Sequence, residues 1–148
     1  MEICVFYTSP KLGDIILQLP FVKAIAKHYN VNVTLCINKN INIGKILQKQ
    51  SYINSIIENP FRKGRFFLSD VFNLSKKLNE KNIDCAFILD KTKGPAIACN
   101  LARVKKIYGF GIGSQKYFVE KFPTLNRNDL RYNYTKQSIK FLHKFNIF

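Results

Sequence analysis

The sequence predicts an α/β fold: a Rossmann-like, mostly parallel sheet with helices on both faces. Short apolar segments rich in β-formers alternate along the chain with segments whose apolar residues recur at helical spacing. The strand-like segments are continuously apolar, which is typical of strands buried on both faces of a parallel sheet. Strands that alternate with helices form βαβ units, and 148 residues are enough for one such domain.

The elements follow in order from the N-terminus. The first strand is predicted at residues 3–7, and a helix follows at 14–29. Pro20 lies inside that helix and is expected to kink it or divide it into two pieces. Residues 111–128 are expected to be irregular. Further strands are predicted at 31–37, 52–57, 84–89 and 105–108. Further helices are predicted at 43–50, 67–81, 95–103 and 129–145. The apolar face of the helix at 67–81 is predicted to consist of Phe67, Leu68, Val71, Phe72 and Leu78.

The composition is strongly basic. Twenty-four Lys and Arg residues against nine Asp and Glu residues give a formal charge of +15. Such a surplus favours an anionic partner: nucleic acid, an acidic lipid surface or a phosphorylated substrate. Heavy use of Lys, Asn and Ile, which an AT-rich genome would produce, explains the charge about equally well. The charge alone therefore does not select a partner.

The cysteines and the N-terminus indicate a cytosolic protein. The four cysteines are widely separated and form no Cys-x-x-Cys pair, so we expect small core residues in a reducing compartment. No basic segment precedes an apolar stretch at the N-terminus, as a signal peptide would require. The most apolar run, residues 15–22, is too short to span a bilayer. The cysteines are Cys4, Cys36, Cys85 and Cys99.

Two loops follow strands of the predicted sheet, at residues 8–14 and 90–94. Ligands of open α/β sheets bind beyond the carboxyl ends of the strands, so both loops are candidate binding sites. The first contains Ser9, Lys11, Gly13 and Asp14, and its glycine would allow a sharp turn or the close approach of a ligand. Asp14 has a purely structural alternative as a carboxylate that caps a helix or interacts with its dipole.

Other chemical motifs are weak or missing from the sequence. The glycines at 109, 111 and 113 lack the spacing of a dinucleotide fingerprint and do not follow the first strand, so a turn is the better interpretation. There is no Walker A motif, no spacing typical of metal ligands and no Ser/His/Asp set. His28 and His143 are isolated and are predicted on helix surfaces.

After the first predicted strand the sequence has Ser9, Gly13, Asp14 and Pro20 in that order, with three residues between Ser9 and Gly13. This opening resembles that of glycosyltransferase family 9, the bacterial heptosyltransferases of lipopolysaccharide core assembly, which has a strand, S-x-x-G-D, an apolar helix and a proline. Further similarities follow in the same order as in the family. They lie at Ser51–Ile57, Asn82–Asp90 and Lys105–Phe110, so that the resemblance covers roughly residues 1–113.

The resemblance implies a GT-B architecture, in which two Rossmann-like domains face each other across a cleft. The chain would correspond to the N-terminal half, with an acceptor-side domain at 1–128 and a helix at 129–148 leading toward a donor-binding domain. Asp14 would be the general base of an inverting transfer that needs no metal and no cofactor. The donor, expected to be ADP-heptose, would bind mainly to the second domain, so the isolated chain is expected to be inactive.

The resemblance also implies an acidic glycolipid or oligosaccharide as the acceptor. Residues 62–65 lie where the family has a basic loop thought to meet the acidic inner core. That loop could also rest on the anionic inner face of the membrane, and a simply solvated loop remains an alternative. Residues 90–94 depart from the family pattern, which leaves the identity of the acceptor open. The binding residues implied, besides Ser9, Lys11 and Gly13, are Arg62, Lys63, Arg65, Lys91 and Lys93.

Two other functions remain alternatives at this stage. One is a non-catalytic remnant or acceptor-binding module of the same fold. The other is a basic domain that binds nucleotides or nucleic acid, which would need a basic stripe with exposed aromatic residues. Because no RNA- or DNA-binding motif is present, nucleic acid is not the expected partner.

Overall fold

A computed structural model describes residues 1–38, 43–61, 65 and 67–148. Its centre is a five-stranded sheet in the order β3-β2-β1-β4-β5, and every pair of neighbouring strands is parallel. The predicted fold class is therefore confirmed. The strands are β1 (Ile3–Tyr7), β2 (Val33–Asn38), β3 (Ile53–Asn59), β4 (Cys85–Ile88) and β5 (Lys106–Gly109).

Helices cover both faces of the sheet, as the continuous apolar strands predict. The helices are α1 (Leu12–Tyr29), α2 (Ile43–Leu47), α3 (Leu68–Glu80), α4 (Gly94–Leu101) and α5 (Tyr134–His143). Alternate residues of β1 point to opposite faces. Val5 belongs to the core beneath α1 and α5, whereas Phe6 belongs to the core beneath α3 and α4.

Helix α1 is continuous, so the predicted division at Pro20 is wrong. Proline removes the hydrogen bond that its nitrogen would donate to the carbonyl of Ile16. Both residues lie on the exposed side of α1, where water can bond to that carbonyl instead. The opposite side of the helix, which includes Phe21 and Val22, packs into the core and holds the helix together across the proline.

The last helix begins later than predicted. Residues Arg127–Arg131 form a separate 3-10 helix, and α5 begins only after Asn133, whose side chain accepts a 2.9 Å hydrogen bond from the amide of Lys136. Two local caps thus divide the predicted element. Phe141 and Leu142 of α5 are fully buried against the sheet core.

The apolar face of α3 also differs from the prediction. Val71 and Leu78 are buried as expected, but Phe67, Leu68 and Phe72 are more than half exposed. The buried stripe continues instead through Leu74 and Ser75, because it follows the i, i+3, i+4, i+7 spacing from Val71. Apolar residues near the start of this helix are therefore available at the surface.

The four cysteines are confirmed as reduced core residues. All are free thiols with buried side chains, three in strands and one in α4. Burial raises the pKa of the Cys85 thiol to about 12 and that of Cys4 well above its usual value.

Both histidines are exposed, as predicted. Within the described residues, no helix has the length and apolar character needed to cross a membrane.

Candidate functional site

The strand order reverses between β1 and β4, with β2 and β3 on one side of this point and β5 on the other. The loops that leave the carboxyl ends of β1 and β4 must diverge there, and such a crevice is where open α/β sheets bind ligands. These are the two loops that the sequence singles out at residues 8–14 and 90–94, and in the structure they span residues 8–11 and 89–93. The structure therefore brings them side by side at one edge of the sheet.

Asp90 joins the two loops. Its Oδ2 accepts hydrogen bonds from the Thr8 amide at 3.0 Å and from the Thr8 hydroxyl at 2.7 Å. Its Oδ1 accepts from the amide of Thr92 at 2.8 Å and from the hydroxyl of the same residue. The side-chain nitrogen of Gln115, Nε2, donates to the backbone carbonyl oxygens of Asp90 and Thr92 at 2.9 and 2.8 Å. Asp90 is 6% exposed, so we interpret it as the frame of the site rather than a group that meets substrate.

Of the carboxylates of Asp14 and Asp90, that of Asp14 is the more accessible. It is the third residue of α1, half-buried, and its Oδ2 accepts a 2.6 Å hydrogen bond from the Ser9 hydroxyl. The Ser9 oxygen in turn accepts from the amide of Lys11 at 3.3 Å, which directs the hydroxyl hydrogen toward Asp14. Among the described residues, no side chain or amide donates to the Oδ1 of Asp14. One oxygen is thus fixed and the other is free to accept a proton.

Gly13 does not make the predicted sharp turn. It lies in the first turn of α1 with helical backbone, and the loop is connected to the helix by Lys11 in an extended conformation. A β-carbon placed on Gly13 would have no atom within 4 Å, and the residue is exposed. Open space therefore lies at Gly13, one residue before Asp14 in the first turn of α1, as the alternative interpretation of this glycine requires.

A buried polar group lies beneath the site, and no motif in the sequence indicates it. Tyr7, the last residue of β1, is 2% exposed. Burial, followed by the nearby negative charges of Asp14 and Asp90, raises the pKa of Tyr7 to about 12, against the opposing effect of a hydrogen bond with Gln18. The Gln18 carbonyl also accepts a 3.1 Å hydrogen bond from the Ser138 hydroxyl, which connects α1 to α5. Polar pairs such as Gln18 and Ser138 follow no periodic pattern, so the sequence does not predict which residues pair.

The remaining predicted site residues are distributed along the same edge. Lys11, Lys91 and Lys93 are exposed in the loops after β1 and β4, and Arg65 is exposed before α3. Arg62 and Lys63 lie outside the described residues.

An open cavity of about 400 Å³ lies beyond β5, and Ser114, Lys116 and Arg127 are among its lining residues.

Gly109 ends β5, Gly111 lies in the loop that follows, and Gly113 begins a 3-10 helix at Gly113–Tyr117, so the three glycines belong to successive elements rather than to one turn. Gly111 and Gly113 have φ angles of 70° and 60°, which glycine adopts far more readily than other residues. The amide of Gly111 donates to the Gln115 side chain at 2.8 Å, so this loop supports the frame around Asp90. In the described part of the chain, no three His, Cys, Asp or Glu residues are placed to hold a metal ion.

Two solved structures resemble this arrangement. A glycosyl transferase family 9 protein from Veillonella parvula DSM 2008 matches 99% of the chain with a TM-score of 0.76 and 19% sequence identity. The ADP-heptose lps heptosyltransferase II of E. coli matches 87% of the chain with a TM-score of 0.67 and 17% identity. The chain has the fold of one part of these glycosyltransferases.

The predicted resemblance to glycosyltransferase family 9 and to half of a GT-B enzyme is thus confirmed in the fold. The chain spans 41% of the length of the Veillonella protein and 36% of the length of the E. coli protein. No protein-family model and no curated protein matches the sequence. Structural similarity below 20% identity establishes the architecture of a glycosyltransferase domain, and the chemistry must be argued from the residues.

Proposed function

We propose that this chain is the acceptor-binding part of an inverting glycosyltransferase in which Asp14 is the general base. The observation that carries the proposal is the Asp14 carboxylate, oriented by Ser9 at the point where the strand order reverses. A general base must lie where a substrate hydroxyl can reach it, and the open space beside Gly13 provides that access. The fold shared with glycosyltransferases supports the reaction class.

The proposed reaction is a single displacement. The acceptor hydroxyl oxygen forms a bond to the anomeric carbon, and the bond from that carbon to the nucleotide diphosphate breaks with its electron pair leaving on the diphosphate. The hydroxyl proton passes to the Oδ1 of Asp14, since Oδ2 is engaged by Ser9. A hydroxyl becomes acidic as it attacks, so an ionised carboxylate can accept the proton late in the step. Alignment of the hydroxyl with the anomeric carbon would supply much of the remaining rate.

The proposed acceptor is an acidic glycolipid or oligosaccharide. Lys11, Lys91 and Lys93 are exposed near the candidate base, and the chain as a whole carries a formal charge of +15. Exposed ammonium groups beside a binding site raise the local concentration of an anionic substrate. By analogy with the E. coli neighbour, we propose ADP-heptose as the donor, with no metal or cofactor, and a cytoplasmic location that includes the anionic inner face of the membrane.

The donor site is proposed to lie outside these 148 residues, because the chain spans about two-fifths of the length of its structural neighbours. The isolated chain should therefore fold but not catalyse transfer. Incubation of the chain with ADP-heptose and an inner-core acceptor tests this, with release of ADP as the measurement. Turnover at an enzyme-like rate by the isolated chain would contradict the separation of donor and acceptor sites.

The role of Asp14 is tested in the complete transferase with Asp14→Asn. General-base catalysis contributes about 10²- to 10⁴-fold, so kcat should fall by that factor while acceptor binding changes little. Ser9→Ala should lower kcat by roughly tenfold, the equivalent of one hydrogen bond of about 1.4 kcal/mol. Glu80→Gln, on the exposed end of α3, is the matched charge control. Full activity of Asp14→Asn would remove Asp14 from the base role.

A further inference from the structure

The exposed side of α1 is apolar along the first half of the helix. Leu12, Ile16 and Leu17 are 48%, 53% and 58% exposed. Gly13 and Pro20, which are also exposed, lie between them on the helix surface, because residues three and four apart are neighbours there. These residues therefore form one continuous surface. We name it the α1 patch and define it by Leu12, Ile16 and Leu17.

The α1 patch is not matched by a polar inner side of the helix. Ile15, in the same turn, is 1% exposed and belongs to the sheet core, so this part of α1 is apolar on its inner and outer sides alike. A helix that is apolar all round is ordinarily covered all round, by protein or by lipid. Single exposed apolar residues are common, whereas contiguous ones indicate an interaction surface. The described residues leave the patch about half exposed, so we expect a partner to cover it.

The charges of the helices divide between the two faces of the sheet. Helices α1, α2 and α5 pack on one face, and they contain two, one and two lysines against a single carboxylate, that of Asp14. Helices α3 and α4 pack on the other face and contain two lysines and two acidic residues. The residues outside the described ranges include lysines and an arginine but no acidic residue, so they cannot cancel the surplus.

Lysines flank the α1 patch at both ends. Lys11 directly precedes the helix, whereas Lys23 and Lys27 continue the row of Ile16 and Pro20 at helical spacing. All three lysines are exposed, and none makes a side-chain hydrogen bond or ion pair with a described residue. The exposed side of α1 thus changes from apolar to cationic along its length.

We propose that the α1 patch inserts into the surface of an anionic membrane, with Lys11, Lys23 and Lys27 bound to acidic lipid headgroups. Burial of apolar side chains and attraction between lysines and anionic lipids add together in such interfacial helices. The α1 patch supplies the first contribution, and the flanking lysines supply the second. The neighbouring helices α2 and α5 add positive charge on the same face of the sheet.

The charges disfavour a second copy of the chain as the partner. If two α1 helices packed in parallel, Lys23 and Lys27 of one copy would meet the same lysines of the other. If they packed antiparallel, these lysines would lie over the apolar patch of the other copy, where they would lose water without gaining a partner. Nucleic acid would pair with the lysines, but single strands stack on aromatic rings, and the α1 patch is aliphatic.

The value of this docking for catalysis rests on the proposed function above, whereas the docking itself does not. Asp14 lies in the first turn of α1, at the same end of the helix as the patch. A glycolipid has its acyl chains in the membrane and its sugars just above the surface. Insertion of the α1 patch would therefore hold the candidate base close to the sugars of a membrane-bound acceptor.

Vesicle binding tests the proposal. The chain is mixed with vesicles of phosphatidylcholine alone, or of equal parts phosphatidylcholine and phosphatidylglycerol, and the bound fraction is measured by flotation. We expect binding to the anionic vesicles to be at least about tenfold tighter, and to weaken as salt screens the lysines. Lys23→Gln and Lys27→Gln should each weaken it about fivefold, the factor that about 1 kcal/mol produces. Equal binding to both kinds of vesicle, or binding to neither, would overturn the proposal.

Substitutions in the patch separate it from charge alone. Leu12→Gln combined with Ile16→Gln and Leu17→Gln keeps good helix formers at exposed positions and should weaken binding to anionic vesicles by at least about tenfold. Leu101→Gln is the matched control, since Leu101 is 45% exposed on α4 across the sheet, and it should change binding by less than about twofold. Circular dichroism checks that each variant is folded. Unchanged binding of the folded triple variant would refute the role of the patch.

A fluorescent reporter locates the inserted surface without removing it. The chain contains no tryptophan, so Leu17→Trp introduces a single one into the patch. Its emission should shift to shorter wavelength with anionic vesicles and be quenched by lipids brominated in their acyl chains, whereas the emission of Leu101→Trp should do neither. Quenching of Leu101→Trp alone would show that another surface inserts. A dimer in sedimentation velocity that the triple glutamine variant abolishes would assign the patch to a second copy and refute the proposal.

Asp14→Asn separates this inference from the proposed function. The substitution should not weaken vesicle binding, because it removes no cation and no residue of the α1 patch. If the complete transferase kept full activity with Asp14→Asn, the proposed base would be wrong while the vesicle measurements still stood. If the parent chain did not bind anionic vesicles, the docking would be wrong while an assay with a water-soluble acceptor still tested Asp14.

Discussion

The hydroxyl of Thr8 donates a 2.7 Å hydrogen bond to Asp90 Oδ2 across 82 residues of sequence. This contact fixes the loop after β1 against the loop after β4, and the Thr8 amide strengthens it with a second bond at 3.0 Å. Asp14 is the third residue of the helix that follows the first of these loops. The position of the candidate base therefore depends on a buried carboxylate that is not itself proposed to touch substrate.

Asp90→Ala should lower the free energy of unfolding by about 2–4 kcal/mol. The substitution leaves the amides of Thr8 and Thr92 without their acceptor, and each buried donor left unsatisfied costs about 1–3 kcal/mol. Urea denaturation monitored by circular dichroism provides the measurement. Lys91→Ala, one residue along in the same loop and exposed, should change stability by less than about 0.5 kcal/mol. An Asp90→Ala protein as stable as the parent would show that the loops are held by other contacts.

The strands and most helices follow from the sequence because their periods reflect burial. Ile3–Tyr7 is buried at every position, and a continuous apolar run is the direct signature of a strand covered on both faces. The division of the last predicted helix could not be found in this way. Asn126 and Asn133 cap separate helices through side-chain bonds whose geometry depends on the turn between them.

Only part of the candidate site could be predicted from the sequence. Ser9 and Asp14 are five residues apart and form a local motif, so their proximity could be anticipated. Asp90 and Gln115 act through contacts between distant segments, and no local pattern marks them. The general rule that ligands of open α/β sheets bind beyond the carboxyl ends of the strands predicted the neighbourhood. Only the structure shows that Asp90 supports the site while Asp14 is accessible.

Tyr7 should ionise well above the ordinary tyrosine pKa of 10.0. Its burial, together with the charges of Asp14 and Asp90, raises its pKa from 10.0 to about 12. A raised folded-state pKa contributes stability that is fully present below pH 10 and is lost as the pH rises toward 12. The ¹³Cζ resonance of labelled tyrosine follows this titration, and Tyr7→Phe assigns it.

The same resonance tests whether Asp14 is near and charged. In Asp14→Asn, the second-largest cause of the shift is removed, so the pKa of Tyr7 should fall below its value in the parent chain. Glu80→Gln, which is remote, should leave it unchanged. If the pKa of Tyr7 were the same in Asp14→Asn as in the parent chain, the Asp14 carboxylate would not face β1 in solution.

Asp129 should make stability depend on pH in the acid range. The backbone amide of Asn126, and after it the ammonium group of Lys140 at 3.0 Å, hold the pKa of Asp129 below its usual value of 3.8. A lowered folded-state pKa contributes stability that is present above the unfolded pKa and is lost as the pH falls through the folded one. Asp129→Asn should therefore cost about 1 kcal/mol at pH 7, the typical contribution of a capping interaction.

That cost should shrink as the pH falls below about 4, because the parent chain then also loses the charge. Urea unfolding of parent and variant at pH 7, 5 and 3 measures the difference directly. Lys140→Met removes the partner ammonium. It should lower the free energy of unfolding by less than Asp129→Asn does, with the same dependence on pH. A difference that stays constant down to pH 3 would show that the carboxylate charge does not contribute.

Gly13→Ala should raise stability and lower activity at the same time. Gly13 lies in the first turn of α1 with helical backbone, and a β-carbon there would meet no atom within 4 Å. Alanine should therefore stabilise the helix, by up to about 1 kcal/mol, because it loses less conformational freedom than glycine on folding. The new methyl group would occupy space beside Asp14 that the proposed acceptor must enter. In the complete transferase, KM for the acceptor should rise by roughly three- to tenfold, the effect of about 1 kcal/mol of lost binding.

Gly44→Ala is the matched control, since Gly44 also lies in a helix and its β-carbon would meet only Ile56 at an ordinary 4.0 Å. It should raise stability similarly and leave KM unchanged. If Gly13→Ala were more stable with an unchanged KM, the acceptor would not pass over the start of α1, and the proton acceptor would have to be sought along another part of the edge.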